Sequence, residues 1–141
     1  MKAVYLETSA LGRALLHGDQ EAYEILQRVG GHKLFTSALT FAELDRAILR
    51  QRREGKLDVA RERATRRVLH AAAQRLHVMD VTADILARAG NAFEVEPIRT
   101  LDAIHLATIL AWDEGARGEL AVFTRDTRVR DNAAAYGFDL L

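Results

Sequence analysis

The stretch Leu120-Ala121-Val122-Phe123-Thr124 is the clearest buried strand in the chain, and the reading of the whole fold starts from it. Apolar side chains at consecutive rather than alternate positions belong to a strand covered on both faces, the setting of a parallel sheet between helical layers. Downstream, a helix runs to Tyr136, Gly137 stops it, and Phe138 to Leu140 forms a closing strand. Upstream, a helix is expected from Leu101 to about Asp113 after a loop marked by Pro97, another from Thr82 to Phe93, and a strand over His77 to Val81. Ala, Leu, Arg and Glu predominate from Thr40 to Arg53 and from Leu57 to Leu76, with Gly55 between, which predicts two helices in a hairpin. Leu34-Phe35 marks a short strand, and Asp19 to Val29 reads as a helix capped by Asp19 and stopped by Gly30-Gly31. The opening run Lys2 to Leu6 is a strand that halts at Glu7-Thr8-Ser9, after which Ala10, Leu11, Ala14 and Leu15 recur at helical spacing.

Strands therefore alternate with helices, which predicts an α/β fold: a three-layer α/β/α sandwich around a mostly parallel central sheet. With 141 residues and no repeat or linker, residues 1–141 are expected to form one domain. A hydrophobic share of 49% against 28% charged residues suits a globular chain. There is no cysteine, which excludes thiol chemistry, Cys-based zinc sites and disulfides, and permits a reducing compartment. The N-terminal stretch lacks the long apolar centre of a signal peptide and no run reaches membrane-spanning length, so the expected location is the cytoplasm, with no membrane partner.

Four acids stand where chemistry is expected in such a fold. Ligands bind beyond the carboxyl ends of parallel strands, where connections diverge to opposite faces. Glu7 follows the first strand and Asp126 follows the strand ending at Thr124; Asp102 and Glu43 fall in the first turns of helices beginning near Thr100 and Thr40. Two carboxylates about 4 Å apart repel by roughly 4 kcal/mol at an effective dielectric of 20, so a cluster of them calls for a cation or protons. Oxygen ligands without cysteine select Mg2+, with Mn2+ as a possible substitute, and such ions activate water for phosphodiester hydrolysis. Each acid alone also fits a structural role. Thr40 to Glu43 has capping-box spacing, Asp102 suits a helix N-terminus, and Asp126 and Glu7 suit caps at strand-to-helix junctions. Position by itself thus leaves both readings open.

The segments Val4 to Leu11, Ser37 to Leu44, Leu101 to Ala107 and Phe123 to Asp126 occur in the order found in the PIN-domain family, and nearly the whole chain resembles the VapC toxins of toxin-antitoxin pairs. Of these segments, Leu101-Asp102-Ala103-Ile104-His105-Leu106-Ala107 is the most specific. By position the resemblance implies that Glu7, Glu43, Asp102 and Asp126 are catalytic and metal-binding. It further implies a metal-dependent endoribonuclease leaving a 5′-phosphate and a 3′-hydroxyl, a homodimer, and a cognate antitoxin whose segment occupies the acidic site. Glu7 departs from the Asp usual at the first position. Thr127-Arg128-Val129-Arg130 follows Asp126 where some members carry a further acid.

The hydroxyls of Thr8, Ser9 and Thr124 are candidates to orient a metal-bound water, although Thr8 or Ser9 better suits a helix cap and Thr124 is the stronger candidate. His105, one turn beyond Asp102, is read as a packed or hydrogen-bonded histidine, because the five histidines show no metal-ligand spacing. Arg46 to Arg67 holds nine basic residues against three acids, while Glu94 to Leu141 holds five against nine. Arg46, Arg50 and Arg53 are accordingly the expected contacts to an RNA substrate, against the alternative of a solvated helix face. The rival readings are a catalytically silent fold that binds RNA or protein, a nuclease of this family outside toxin-antitoxin pairs, and a phosphatase on another acidic α/β fold, for which Glu7-Thr8-Ser9 supplies no nucleophilic Asp with a second acid.

Overall fold

The computed structural model describes residues 2–112 and 118–141. Strand β1 (Ala3–Leu6) leads into helices α1 (Thr8–Leu15) and α2 (Gln20–Val29), then β2 (Lys33–Ser37), α3 (Ala38–Arg53), α4 (Val59–Ala73) and β3 (His77–Met79). There follow α5 (Ala83–Ala89), α6 (Thr100–Trp112), β4 (Leu120–Phe123), α7 (Thr127–Ala135) and β5 (Asp139–Leu140). The five strands lie in the order β3-β2-β1-β4-β5, and every neighbouring pair is parallel. The expected sandwich is thus observed, with a sheet that is wholly parallel among the described residues. No helix among them is long and apolar enough to cross a membrane.

Alternation along β1 and β4 builds the layers. Ala3, Tyr5, Leu120 and Val122 pack against α5, α6 and α7, whereas Val4, Leu6, Ala121 and Phe123 pack against α1 to α4. Successive side chains point to opposite faces, so a strand apolar at every position must be covered twice. Helix α6 is itself enclosed: Ala103 through Ile109 are all buried, the pattern of a helix apolar all round.

Several boundaries differ from the sequence reading, one for a local reason and another for a tertiary one. Helix α3 begins at Ala38, capped by the Ser37 hydroxyl, which accepts from Leu39 N at 3.1 Å. Thr40 is therefore not a cap and the capping box with Glu43 does not form. Instead the Thr40 hydroxyl is buried and pairs with that of Thr36 at 2.8 Å. Helix α5 ends at Gly90 rather than reaching Phe93, whose ring packs into the core from the following loop. The Asn132 side chain on α7 holds that loop by accepting from Val95 N at 2.9 Å and donating to Val95 O at 2.8 Å. The expected end of α6 at Asp113 lies outside the described residues.

Because β1 sits between β2 and β4, the chain leaves β1 towards one side across one face, and enters β4 on the other side from the opposite face. The carboxyl ends of β1 and β4 therefore form the switch point at which a parallel sheet opens a cleft.

Candidate active site

Glu7 is the first residue beyond β1 and is buried at the β1/β4 junction. Its Oε2 accepts from Ser9 N at 3.0 Å, from the Ser9 hydroxyl, and from the Thr124 hydroxyl at 2.9 Å. Glu7, not Thr8 or Ser9, is the N-cap of α1. One carboxylate oxygen thus satisfies the helix end while Oε1 points towards His105 Nε2, 3.7 Å away. Ser9, read from sequence as a possible cap or water-orienting hydroxyl, also accepts from Arg125 N at 2.8 Å and so ties the two strand ends together.

Glu43 lies on the sixth residue of α3, beyond the first turn where sequence spacing put it, and its Oε1 accepts from the Thr8 hydroxyl at 2.7 Å and from His105 Nε2 at 2.6 Å. Burial pushes the Glu43 carboxyl up, but these two hydrogen bonds outweigh it and hold the group below its ordinary value. Glu7, Glu43 and His105 each bring one potential ligand atom within 4.8 Å of the others. The histidine's other nitrogen, Nδ1, is 2.8 Å from the Tyr5 hydroxyl. Burial, reinforced by the charges of Glu7 and Glu43, raises the Tyr5 pKa well above its ordinary value, so the phenol keeps its hydrogen at neutral pH. Neither Tyr5 nor His105 stood among the sequence-derived site residues. The available signal was periodicity: Tyr5 in β1 and Glu7 just beyond it stand two residues apart, the spacing of one strand face, while Asp102 and His105 are neighbours on one face of α6.

Asp102 occupies the first turn of α6. Burial pushes its carboxyl up, and the nearby charges of Asp126 and Glu7 push the same way against the pull of Arg99. Its Oδ2 is buried without a hydrogen-bond partner, with Arg99 Nε 3.6 Å away. Asp126 caps α7, its Oδ1 accepting from Arg128 N at 2.9 Å and Val129 N at 3.0 Å, while its own N–H donates to Thr124. A cap does not exclude a site role, because a carboxylate has two oxygens and each cap uses one. Thr8 and Thr124, expected to orient water, bond directly to the carboxylates of Glu43 and Glu7. Asp102 and Asp126 stand outside the close group of Glu7, Glu43 and His105, but a buried oxygen without a hydrogen bond, among carboxylates close enough to shift its pKa and with no thiol in the chain, fits a hard divalent cation.

Arg46, Arg50 and Arg53 are exposed and lie three, seven and ten residues beyond Glu43 on α3, a single stripe of the helix. They line a groove of about 700 Å³ with Glu62. None of the three pairs with an acid among the described residues, whereas Arg52 and Arg66 are taken by Glu62 and Asp45.

The PIN domain family model matches residues 4–135. Ribonuclease VapC46 of Mycobacterium tuberculosis is 34% identical over 144 residues, covering all of this chain and 98% of that protein. Among solved structures, VapBC2 from Rickettsia felis bound to a DNA fragment from its promoter superposes with a TM-score of 0.67 at 15% identity, over 99% of this chain and 97% of that one. DNA-bound VapBC from Salmonella typhimurium gives 0.63 at 19% identity, over 100% and 98%. At those identities the two structures speak to the fold alone, but the family model and the full-length relative speak to descent, and on them the chain belongs to the PIN-domain family, in its VapC group.

Proposed function

We propose that this chain is a metal-dependent endoribonuclease, the toxin of a toxin-antitoxin pair, and that Glu7, Glu43, Asp102 and Asp126 form its Mg2+ site, with Mn2+ as a substitute. The observation that carries the reading is the buried Oδ2 of Asp102, which makes no hydrogen bond and feels the charges of Asp126 and Glu7. A bound ion lowers the pKa of its water and offsets charge on the scissile phosphate. The chain's own residues set the stage for it. Ser9 and Thr124 hold Glu7, Thr8 and His105 hold Glu43, and backbone N–H groups of α7 hold Asp126, so the carboxylates stand preorganised. Arg46, Arg50 and Arg53 supply cationic contacts for the RNA strand. The relative named as a ribonuclease supports the activity, and the VapBC neighbours support an antitoxin partner. Homodimerisation and a cytoplasmic site of action complete the proposal.

Purified protein is expected to cleave RNA with Mg2+ and to stop on chelation. Its metal-free form is expected to gain about 5 °C or more in Tm at 100-fold metal excess over Kd, since the ion binds the folded cluster and not the unfolded chain. Absent cleavage together with an unchanged Tm favours a silent RNA- or protein-binding fold.

Reversing Arg46, Arg50 and Arg53 together to Glu is expected to weaken RNA binding and to reduce its salt slope by about 2, from about 0.7 per phosphate contact on a single strand. Metal binding is expected to persist. Unchanged affinity and slope would assign the stripe to solvation or to antitoxin contact.

A further inference from the structure

His105 is fully buried, yet it is polar and its two ring nitrogens face two different layers of the molecule. Nε2 meets Glu43 Oε1 from α3, and Nδ1 meets the Tyr5 hydroxyl from β1, while the ring itself rides on α6 one turn beyond Asp102. A carboxylate only accepts, so the hydrogen of this contact sits on Nε2; in the neutral ring Nδ1 then accepts the phenol O–H. The Glu43 contact thus places a hydrogen on Nε2 and leaves Nδ1 to the Tyr5 hydroxyl. A ring flip would break both bonds at once.

We propose that His105 is the positioning residue of the acidic site: oriented by Tyr5, it fixes the Glu43 carboxylate relative to Asp102 and Glu7. This rests on the reading of those acids as one metal site. Glu43 alone among the four is not adjacent to a strand end or in a helix's first turn, and both hydrogen bonds that hold it come from side chains of other elements. It reaches the site through a long, partly exposed side chain from α3, which lies mainly in the opposite layer from α6. The imidazole links α3 to the helix that carries Asp102, and through Tyr5 to the strand that delivers Glu7. It cannot simultaneously serve as a ligand through Nε2 in this arrangement, because the lone pair a metal would need is occupied by the hydrogen given to Glu43. A histidine that merely filled space would gain nothing from two matched polar partners, since an apolar side chain needs none.

The test compares the parent with His105→Leu, His105→Gln and Tyr5→Phe, measuring kcat and KM for RNA cleavage and, separately, the affinity for manganese alone in the absence of RNA. Outer partners of metal-holding groups are commonly worth about 10- to 100-fold. His105→Leu is expected to lose that much in kcat and manganese affinity, with KM for RNA little changed. His105→Gln is expected to recover most of both, because its amide places an N–H donor near the position of Nε2, while Tyr5→Phe is expected to fall between. Should Leu not fold, Gln and Phe still decide the matter. Parent-like manganese affinity and kcat in a folded Leu variant would overturn the proposal in favour of space-filling. Loss of manganese binding in Gln as deep as in Leu, with Tyr5→Phe unaffected, would overturn it in favour of a direct ligand. If the parent itself neither binds manganese nor cleaves RNA, the underlying reading of the site fails, a result distinct from either of these.

Discussion

Asp102→Asn is expected to abolish cleavage while leaving the fold intact, with a loss in kcat beyond the roughly 100-fold that an outer partner costs. Asparagine has nearly the same shape and remains acceptable in the first turn of α6, so what disappears is the charge that a cation would bind. The metal-free protein is expected to become no less stable. Burial and the charges of Asp126 and Glu7 raise the folded-state pKa of Asp102 above its unfolded value, so ionising this group opposes folding. Its contribution to stability is therefore full below the ordinary Asp range and declines as pH rises from there through the raised pKa. At neutral pH the parent without metal carries that penalty, and the Asn variant does not. Thermal melts across the acid range are expected to show a flatter profile for the variant, and melts with and without Mg2+ a smaller gain on adding metal. Retained nuclease activity in a carefully purified variant would remove Asp102 from the set of essential ligands.

Glu7 separates charge from reach. In Glu7→Gln the amide oxygen can take the place of Oε2, accepting from Ser9 N and the Thr124 hydroxyl, so the cap of α1 and the link to β4 are kept while the charge is lost. Cleavage is expected to fall by more than about 100-fold, the scale set by loss of an outer partner. Glu7→Asp keeps the charge and remains a good N-cap, but withdraws the carboxylate by one methylene from partners spaced for the longer side chain. It is expected to retain measurable cleavage with altered magnesium affinity, since magnesium keeps several waters and can be held through one of them. The pair is read by cleavage rates over a full metal titration. A Gln variant as fast as the parent throughout would make the first acid structural and the four-carboxylate mechanism wrong in its leading member.

The structure has every strand and helix expected from the sequence, because the signals for them are local. Asp19 caps α2 and Gly30 ends it as read; Gly55 and Gly137 adopt φ of 72° and 84° where the helices were expected to break. Apolar runs in β1 and β4 required helices on both faces, and both faces are covered. The start of α3 went astray on a local competition, Ser37 taking the cap from Thr40, and the end of α5 on a distant one, Phe93 leaving its helix for the core. The four acids were legible because each follows a strand or lies in the early turns of a helix, positions that parallel topology gathers at one edge. Whether each caps a helix or faces a site was not legible. Glu7 and Asp126 each cap a helix through one oxygen, which leaves the second oxygen outside the cap.

The order of elements, the doubly covered sheet and the edge on which the acids gather were thus determined by the sequence itself, since propensity, capping and periodicity act within a turn or a strand. The links that hold the acids were decided only in the tertiary structure. Tyr5 meets His105 across 100 residues and His105 meets Glu43 across 62, and such contacts exist only once separate layers have packed and brought one buried ring between them.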